Sequence, residues 1–373
     1  FRFMEPMEEV VYFDQAKLLA IDHPADAQVY PNERFLSNPP YPAFKVIASR
    51  DARPPAGAWD GHGRNVLPEL LAHDHRYVTG FKLLPFIGFA EPHTLLLDLG
   101  QNYAGGPLRL LATGYIDYFS ANGMYAAYQA GISPVAPYVE ALTPGGKWVR
   151  VLEDMGFPAG LPRTMVADLS GRLPRGTRRI RITTNLQIYW DQILLDRTEE
   201  AAIPTRVTPV PLLAANLNFH GYPRQVAQSL PGDIKFVYDD VSSTGPYAHE
   251  IGSYTRYGNV LPLLTAADDR FVVFGSGEEV GLEFDASHLP PLPAGWKRDY
   301  FFMANGYEKD MDFYAADANT VAPLPFHAMG LYPYGVGKAY PQDDEHLRYL
   351  LQYNTRQVGW TEPKSYRFQF SKP

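Results

Sequence analysis

The chain contains no cysteine. This excludes disulfides, thiolate metal sites and a cysteine nucleophile. It does not fix the compartment, because a secreted protein with large cores can do without disulfides. Charge is sparse as well: charged residues make up 20% of the 373 and the formal net charge is −8. A chain of that balance is not built for a nucleic-acid backbone or an anionic membrane surface as its main partner. No apolar run approaches the ~18 residues of a membrane span. No signal peptide is visible, but the chain opens on Phe1 rather than Met and reads as a processed or partial product. Its start therefore says nothing about secretion. The short motifs of common enzymes are missing too. There is no Gly-x-Ser-x-Gly elbow, no phosphate-binding loop, no Gly-x-Gly-x-x-Gly after a strand and no His-Glu-x-x-His.

What is present is apolar, aromatic and rich in turns. Hydrophobic residues make up 46%, with 34 prolines, 31 glycines and 25 tyrosines. Short apolar segments punctuated by Pro and Gly point to an all-β chain. HTLLLDLG (93–100), TMVADLS (164–170) and RRIRITTN (178–185) read as strands, the last two by period-2 alternation. PYVEAL (137–142) and KWVRVL (147–152) flank a Pro-Gly-Gly turn and read as a hairpin. Helices are few. VLPELLAHDHRYV (66–78) has Pro in its first turn and places Leu67, Leu70 and Leu71 on one face. Its counterpart at 260–272 does the same. DDEHLRYLLQYN (343–354) opens on acids and aligns Leu347, Leu350 and Leu351.

Two phrases occur twice. YFDQAKLLA begins at Tyr12, and YWDQILLD begins at Tyr189, 177 positions later. NVLPELLAHDHRYV (65–78) and NVLPLLTAADDRFV (259–272) share nine of fourteen residues. Weaker echoes follow in the same order, with Asp98 against Asp285 and Gly114-Tyr115 against Gly306-Tyr307. The pattern is an internal duplication. The expected architecture is two tandem related β-sandwich units, jelly-roll-like, with a few short helices. They span 30–197 and 212–373, joined by the Pro-containing linker 198–211. YWDQILLD would be the last strand of the first unit. YFDQAKLLA, within 1–29, would come from a preceding unit or be borrowed to complete a sheet such as that of the second unit.

Candidate chemistry is thin. His73 and His75, with His62 nearby, lack a set of converging ligands. At positions i and i+2 of a helix they would point apart and form a solvated helix end. Asp74 and Arg76 recur as Asp268 and Arg270, which suits a cap or ion pair within each fold. Asp14 and Asp191 recur at equivalent strand positions and read as fold maintenance. In NGYEKDMDF (305–313), Asp310 and Asp312 would share one face of a strand and, with Asn305 or Glu308, could hold calcium through hard oxygen ligands. A glycosidase would need two acids at a fixed separation, and nothing in the sequence sets any two across a cleft. Two aromatic clusters could stack on sugars or pack in an interface. The first is Tyr115, Tyr118, Phe119, Tyr125 and Tyr128; the second is Phe326, His327, Tyr332 and Tyr334. The second lies in the long Pro/Gly-rich loop 321–342 and is the preferred contact surface.

Several long phrases together resemble one family. They are YFDQAKLLAIDHPADAQVYPNERF, RNVLPELLAHDHRYV, EDMGFPAGLPRTMVADLSG, RITTNLQIYWDQILL and PLPAGWKRDYFFMANGYEKDMD followed by NTVAPLPFHAMGLYPY. The chain is similar to the C-terminal region of bacterial FG-GAP/ASPIC-UnbV repeat proteins, distant relatives of cartilage acidic protein. Its segment 90–196 also resembles a galactose-binding-domain-like jelly roll. The resemblance implies an extracellular, cell-surface or periplasmic setting, an upstream propeller or repeat portion, and no defined activity. The acidic calcium loops of FG-GAP repeats are absent, so their calcium is not carried over. The expected function is a non-catalytic recognition or assembly module for a glycan or protein partner. The alternatives are a structural subunit assembled by strand donation, and a carbohydrate-active hydrolase. No cofactor is expected apart from possible calcium.

Overall fold

The computed structural model describes residues 1–117, 120–158, 162–199, 202–230 and 233–368. Among the described residues the protein is mostly β, with many sheets, no barrel and two short α-helices. No helix among the described residues is long and apolar enough to cross a membrane.

The chain divides into two compact units, and both are discontinuous. One comprises 21–206 with 292–299. The other comprises 1–20, 207–291 and 300–373. The boundaries expected from the repeats therefore shift. The stretch 198–211 is more than a linker, since it carries the strand Arg206–Val210. The long strands Glu9–Pro24 and Trp296–Asp310 each supply residues to both units, which a division at repeat boundaries does not capture.

In the unit 21–206, a five-stranded sheet runs in the order Gly57–Asp60, Phe89–Asp98, Arg179–Leu186, Tyr138–Leu142, Trp148–Leu152. A three-stranded sheet runs Arg163–Asp168, Arg109–Ile116, Ile188–Asp196. Every pairing is antiparallel. Alternation explains the sandwich. Leu95, Leu97, Ile180 and Ile182 point inward from one sheet and meet Leu110, Ala112, Met165 and Ile193 from the other in a single core. Each large side chain buried there contributes about 1.5–3 kcal/mol. Outward-facing Arg181 pairs with Glu140 on the neighbouring strand at 2.7 Å. The hairpin forms with Leu142 opposite Trp148, and Gly146 at φ +77° supplies its turn.

In the other unit, one sheet is ordered Arg2–Met4, Glu278–Phe284, Leu212–Phe219, Gly258–Asn259. A second is ordered Arg206–Val210, Glu9–Pro24, Val272–Phe274, with Trp296–Asp310 also paired to Glu9–Pro24. The N-terminal strand thus has partners within its own chain, with Phe13 opposite Val272. It is buried on both faces. Val11 and Phe13 join the core of Leu217, Phe274, Val280 and Leu282, while Val10 and Tyr12 pack with Tyr254, Phe271 and Val273.

Two helix expectations are corrected. The stretch 66–78 is not a helix: only Leu67–Leu70 forms a single 3-10 turn, matched by Leu261–Leu263. Side-chain acceptors capture the following backbone, as described below, and His75 sits at φ +63°. The helix Asp344–Gln352 does form, with Asp343 Oδ1 accepting the amides of Glu345 and His346. Its buried face, however, carries Tyr349, Tyr353 and half-buried Leu350 rather than the leucine triplet, and Leu351 is 81% exposed. Tyrosine wins because its ring packs while its hydroxyl still reaches an acceptor: Tyr349 OH donates to Phe271 O at 2.8 Å. The sequence gave no warning of the helix Ala121–Gln129, N-capped by Ser120.

Candidate functional site

The repeated phrases form a repeated device. The pairing between Ile188–Asp196 and Arg109–Ile116 slips by one residue between Trp190 and Gln192, so Asp191 stands at a bulge. A bulge re-aims its side chain. Asp191, 0% exposed by its side chain, turns to the loop after the 3-10 turn. Its Oδ1 accepts the amide of Asp74 and its Oδ2 that of His75, both at 3.2 Å. Gln192 Nε2 donates to Leu71 O, and the Val78 amide donates to Trp190 O. Gly114 lies opposite, because a Cβ there would stand 2.8 Å from the Trp190 ring. One strand therefore holds one loop through side chains at both ends of the loop.

The N-terminal strand holds the loop 264–272 in the same way. Asp14 Oδ1 accepts the amide of Asp268 at 3.2 Å, Gln15 Nε2 donates to Thr265 O, and the Ala16 amide donates to Leu264 O. Asp269 takes φ +66°, as His75 takes +63°. The ion pairs repeat too, Arg76 to Asp74 and Arg270 to Asp268. Asp14 and Asp191 thus maintain the fold by capturing loop amides.

The two copies differ beyond this. Around Asp191 stand His73, 3.6 Å from Oδ2, and His75, its ring stacked on His73 at 5.5 Å rather than pointing away. Around Asp14 stands His327, brought in from the long loop. His327 Nδ1 is 2.5 Å from Asp269 Oδ1 and 3.7 Å from Asp14 Oδ2. Among the described residues, Asp14, Asp269 and His327 form the one group of three carboxylate or imidazole donors lying within 4.8 Å of each other. Asp14 Oδ2 is buried and has no hydrogen-bond partner there. Burial raises the Asp14 pKa, against the lowering effect of the Asp268 amide, of His327 and of the Asp269 amide.

The acids first picked for calcium do not join this group. The strand Trp296–Asp310 ends at Asp310, so Asp312 lies in the following turn and the shared-face argument fails. Asn305 is exposed on the strand. Lys309 does not point into water; it is buried and donates to the Tyr332 hydroxyl at 3.1 Å. Burial lowers its pKa to about 8. Nearby, burial raises the pKa of Glu250 to about 7, and raises those of Glu5 and Glu9 with the help of neighbouring carboxylates.

A separate concavity of about 190 Å³ opens in the unit 21–206. Phe81 and His93 line it, their rings stacked at 4.4 Å, beside Trp190. Asp60, Thr94 and Thr184 bring polar groups to its lining. Arg64 braces one wall, donating to Asp60 Oδ2 at 3.0 Å and to Thr79 O at 2.6 Å. Burial lowers the His93 pKa, so the ring is neutral near pH 7. Its Nδ1 faces Glu91 O at 3.0 Å and must donate, which leaves Nε2 an acceptor. No shared motif links these lining residues, which come from four separate segments, 60–62, 78–81, 92–95 and 182–190.

The aromatic candidates scatter. Tyr115 is 6% exposed and stacks on Tyr189, and Phe326 is 5% exposed against Tyr334; both rings are used in packing and offer no face to a ligand. Tyr332 is half-buried and donates to Pro323 O at 2.7 Å, which pins the loop on itself. Tyr125 and Tyr128 are exposed neighbours on one helix face, Tyr128 at 74%. Tyr118 and Phe119 lie outside the described residues. Of the preferred loop, His327 reaches the Asp14 and Asp269 carboxylates, and Tyr332 accepts from Lys309. No family model, no curated protein and no solved structure matches this chain.

Proposed function

We propose that the chain is a non-catalytic recognition module that seats one ring of a glycan in the concavity beside Trp190. The carrying observation is the Phe81–His93 stack set next to the polar groups of Asp60, Thr94 and Thr184. Sugar recognition combines an apolar ring face with a few convergent polar groups. The volume of about 190 Å³ is below the roughly 300–1,000 Å³ of pockets for drug-sized ligands, so it suits a single ring. The resemblance to the C-terminal region of FG-GAP/ASPIC-UnbV repeat proteins supports a secreted or surface setting. Against a hydrolase stands the burial of two of the perturbed acids: Glu5 and Glu250 are shut away from any glycosidic bond. Screening the chain on a glycan array tests the proposal. Binding that Phe81→Ala weakens about tenfold supports it; binding indifferent to Phe81→Ala and Thr94→Ala refutes it.

Protein assembly is the second reading, favoured by Leu347 and Leu351 exposed one turn apart on the helix Asp344–Gln352. Silence on the array together with a concentration-dependent particle mass, abolished by Leu351→Glu, would put it first.

A further inference from the structure

We propose that Asp14, Asp269 and His327 bind a first-row divalent cation of the zinc type, which ties the loop 321–342 to the N-terminal strand. Three observations meet here. The three donors already lie within 4.8 Å of each other. Asp14 Oδ2 is buried without a hydrogen-bond partner among the described residues, on a side chain that is 0% exposed, and it faces His327 Nδ1 at 3.7 Å. The counterpart carboxylate, Asp191, has each oxygen bonded to an amide at 3.2 Å, whereas at Asp14 the second amide, that of Asp269, approaches without satisfying Oδ2. An unpaired buried carboxylate oxygen is costly, and a cation is one of the few groups that offset it.

The donor set selects the ion. Two carboxylates and an imidazole suit zinc and its first-row neighbours, whereas calcium takes six to eight oxygen ligands and disfavours imidazole. Three protein ligands leave a position for water, and the His327 side chain, 43% exposed, lies on the side open to solvent. The ligands are also positioned from outside. The Asp269 carboxylate accepts the His327 amide at 2.8 Å as well as facing its ring, and Tyr340 OH donates to Asp269 O. Second partners of this kind orient a metal's ligands. Because the ligands come from the strand Glu9–Pro24, the loop after the 3-10 turn Leu261–Leu263 and the long loop, an ion here would cross-link three remote segments of one unit.

The test uses the whole chain stripped with EDTA and titrated with ZnCl₂ in a calorimeter, with CaCl₂ as comparison. The expected result is one zinc per chain and a higher melting temperature. His327→Ala and Asp269→Asn each weaken binding at least about tenfold, the scale that even outer partners of a metal command. Asparagine is chosen because it tolerates the φ of +66° at this position, and circular dichroism checks that both variants fold. Limited proteolysis within 321–342 slows on adding zinc in the wild type and not in His327→Ala. Three outcomes overturn the proposal: no saturable binding, a preference for calcium, or binding that survives His327→Ala but is lost in the His73→Ala/His75→Ala double variant.

Discussion

Two loops that share nine of fourteen residues are held by two strands that both read Tyr-aromatic-Asp-Gln, and the two aspartates are bonded unequally. At Asp191 both carboxylate oxygens receive backbone amides. At Asp14 the Asp268 amide bonds Oδ1 at 3.2 Å, the Asp269 amide makes a weaker approach, and Oδ2 faces an imidazole from a distant loop. The difference extends outward. Carboxylates of the unit 21–206 are matched by arginines, such as Asp196 with Arg109 at 2.7 Å and Asp98 with Arg178 at 3.1 Å. Glu5, Glu9 and Glu250 of the other unit are held instead by burial and like charge, which raise their pKa values. A repeated framework can thus keep its mechanical contacts in both copies while the bonding of the carboxylates around them diverges. Buried polar groups left unsatisfied are costly to stability and are commonly kept for function.

The comparison breaks most directly at the two aspartates. Asp191→Ala strips the acceptor from two part-buried amides and should cost about 3 kcal/mol in urea unfolding. Asp14→Ala strips one and removes an orphaned oxygen, so it should cost about 1 kcal/mol. Equal costs would end the claim that the copies differ.

Next in size is a pH effect. The Glu250 pKa rises from 4.5 to about 7 on folding, chiefly by burial. Between these values the unfolded chain has released the proton and the folded chain has not. Stability contributed by protonated Glu250 is therefore full below pH 4.5 and lost as pH rises toward 7, by up to about 3 kcal/mol. Glu5 and Glu9 act in the same direction. Denaturation curves across this window should show falling stability in the wild type and a shallower fall in Glu250→Gln. Asp22 provides the opposite sign. Its bonds to Arg298, and then to Arg206, outweigh burial and hold its pKa below 3.8, so its contribution is lost only as pH drops through that region.

Third, Gly114→Ala should cost about 2 kcal/mol, because the new methyl meets the Trp190 ring and Tyr189 O. Gly306→Ala should cost a comparable amount, because its methyl meets Tyr12 O. A tolerated alanine at either position would show that strand approach differs between the copies. The smallest effect is expected at the repeated ion pairs. Arg76→Ala removes an exposed pair and should barely move the melting temperature. Arg270→Ala should move it more, because Arg270 is three-quarters buried and also pairs with Glu345 at 2.7 Å.

Much of this was legible in the sequence. Period-2 alternation in RRIRITTN gave its strand, and the turn glycines of PYVEALTPGGKWVRVL gave the hairpin. The recurrence of Asp14 with Asp191 and of Asp268 with Asp74 marked residues that hold the fold. The 66–78 segment misled because its leucine spacing suits a helix, while the Asp191 carboxylate and the positive φ at His75 stop one. The Asp344–Gln352 helix misled differently: leucines and tyrosines both fit its periodicity, and only the Phe271 carbonyl decided for Tyr349.

The sequence by itself determined the β character, the turns and the duplication, because these follow from side-chain alternation, backbone preference and repetition within short stretches. Only the tertiary structure decided that Asp14, Asp269 and His327 meet, and that Phe81, His93 and Thr94 share a concavity with Trp190. Those groups are separated by up to hundreds of residues. What joins them is the closing of sheets around a core, which is non-directional along the chain and leaves no local signature.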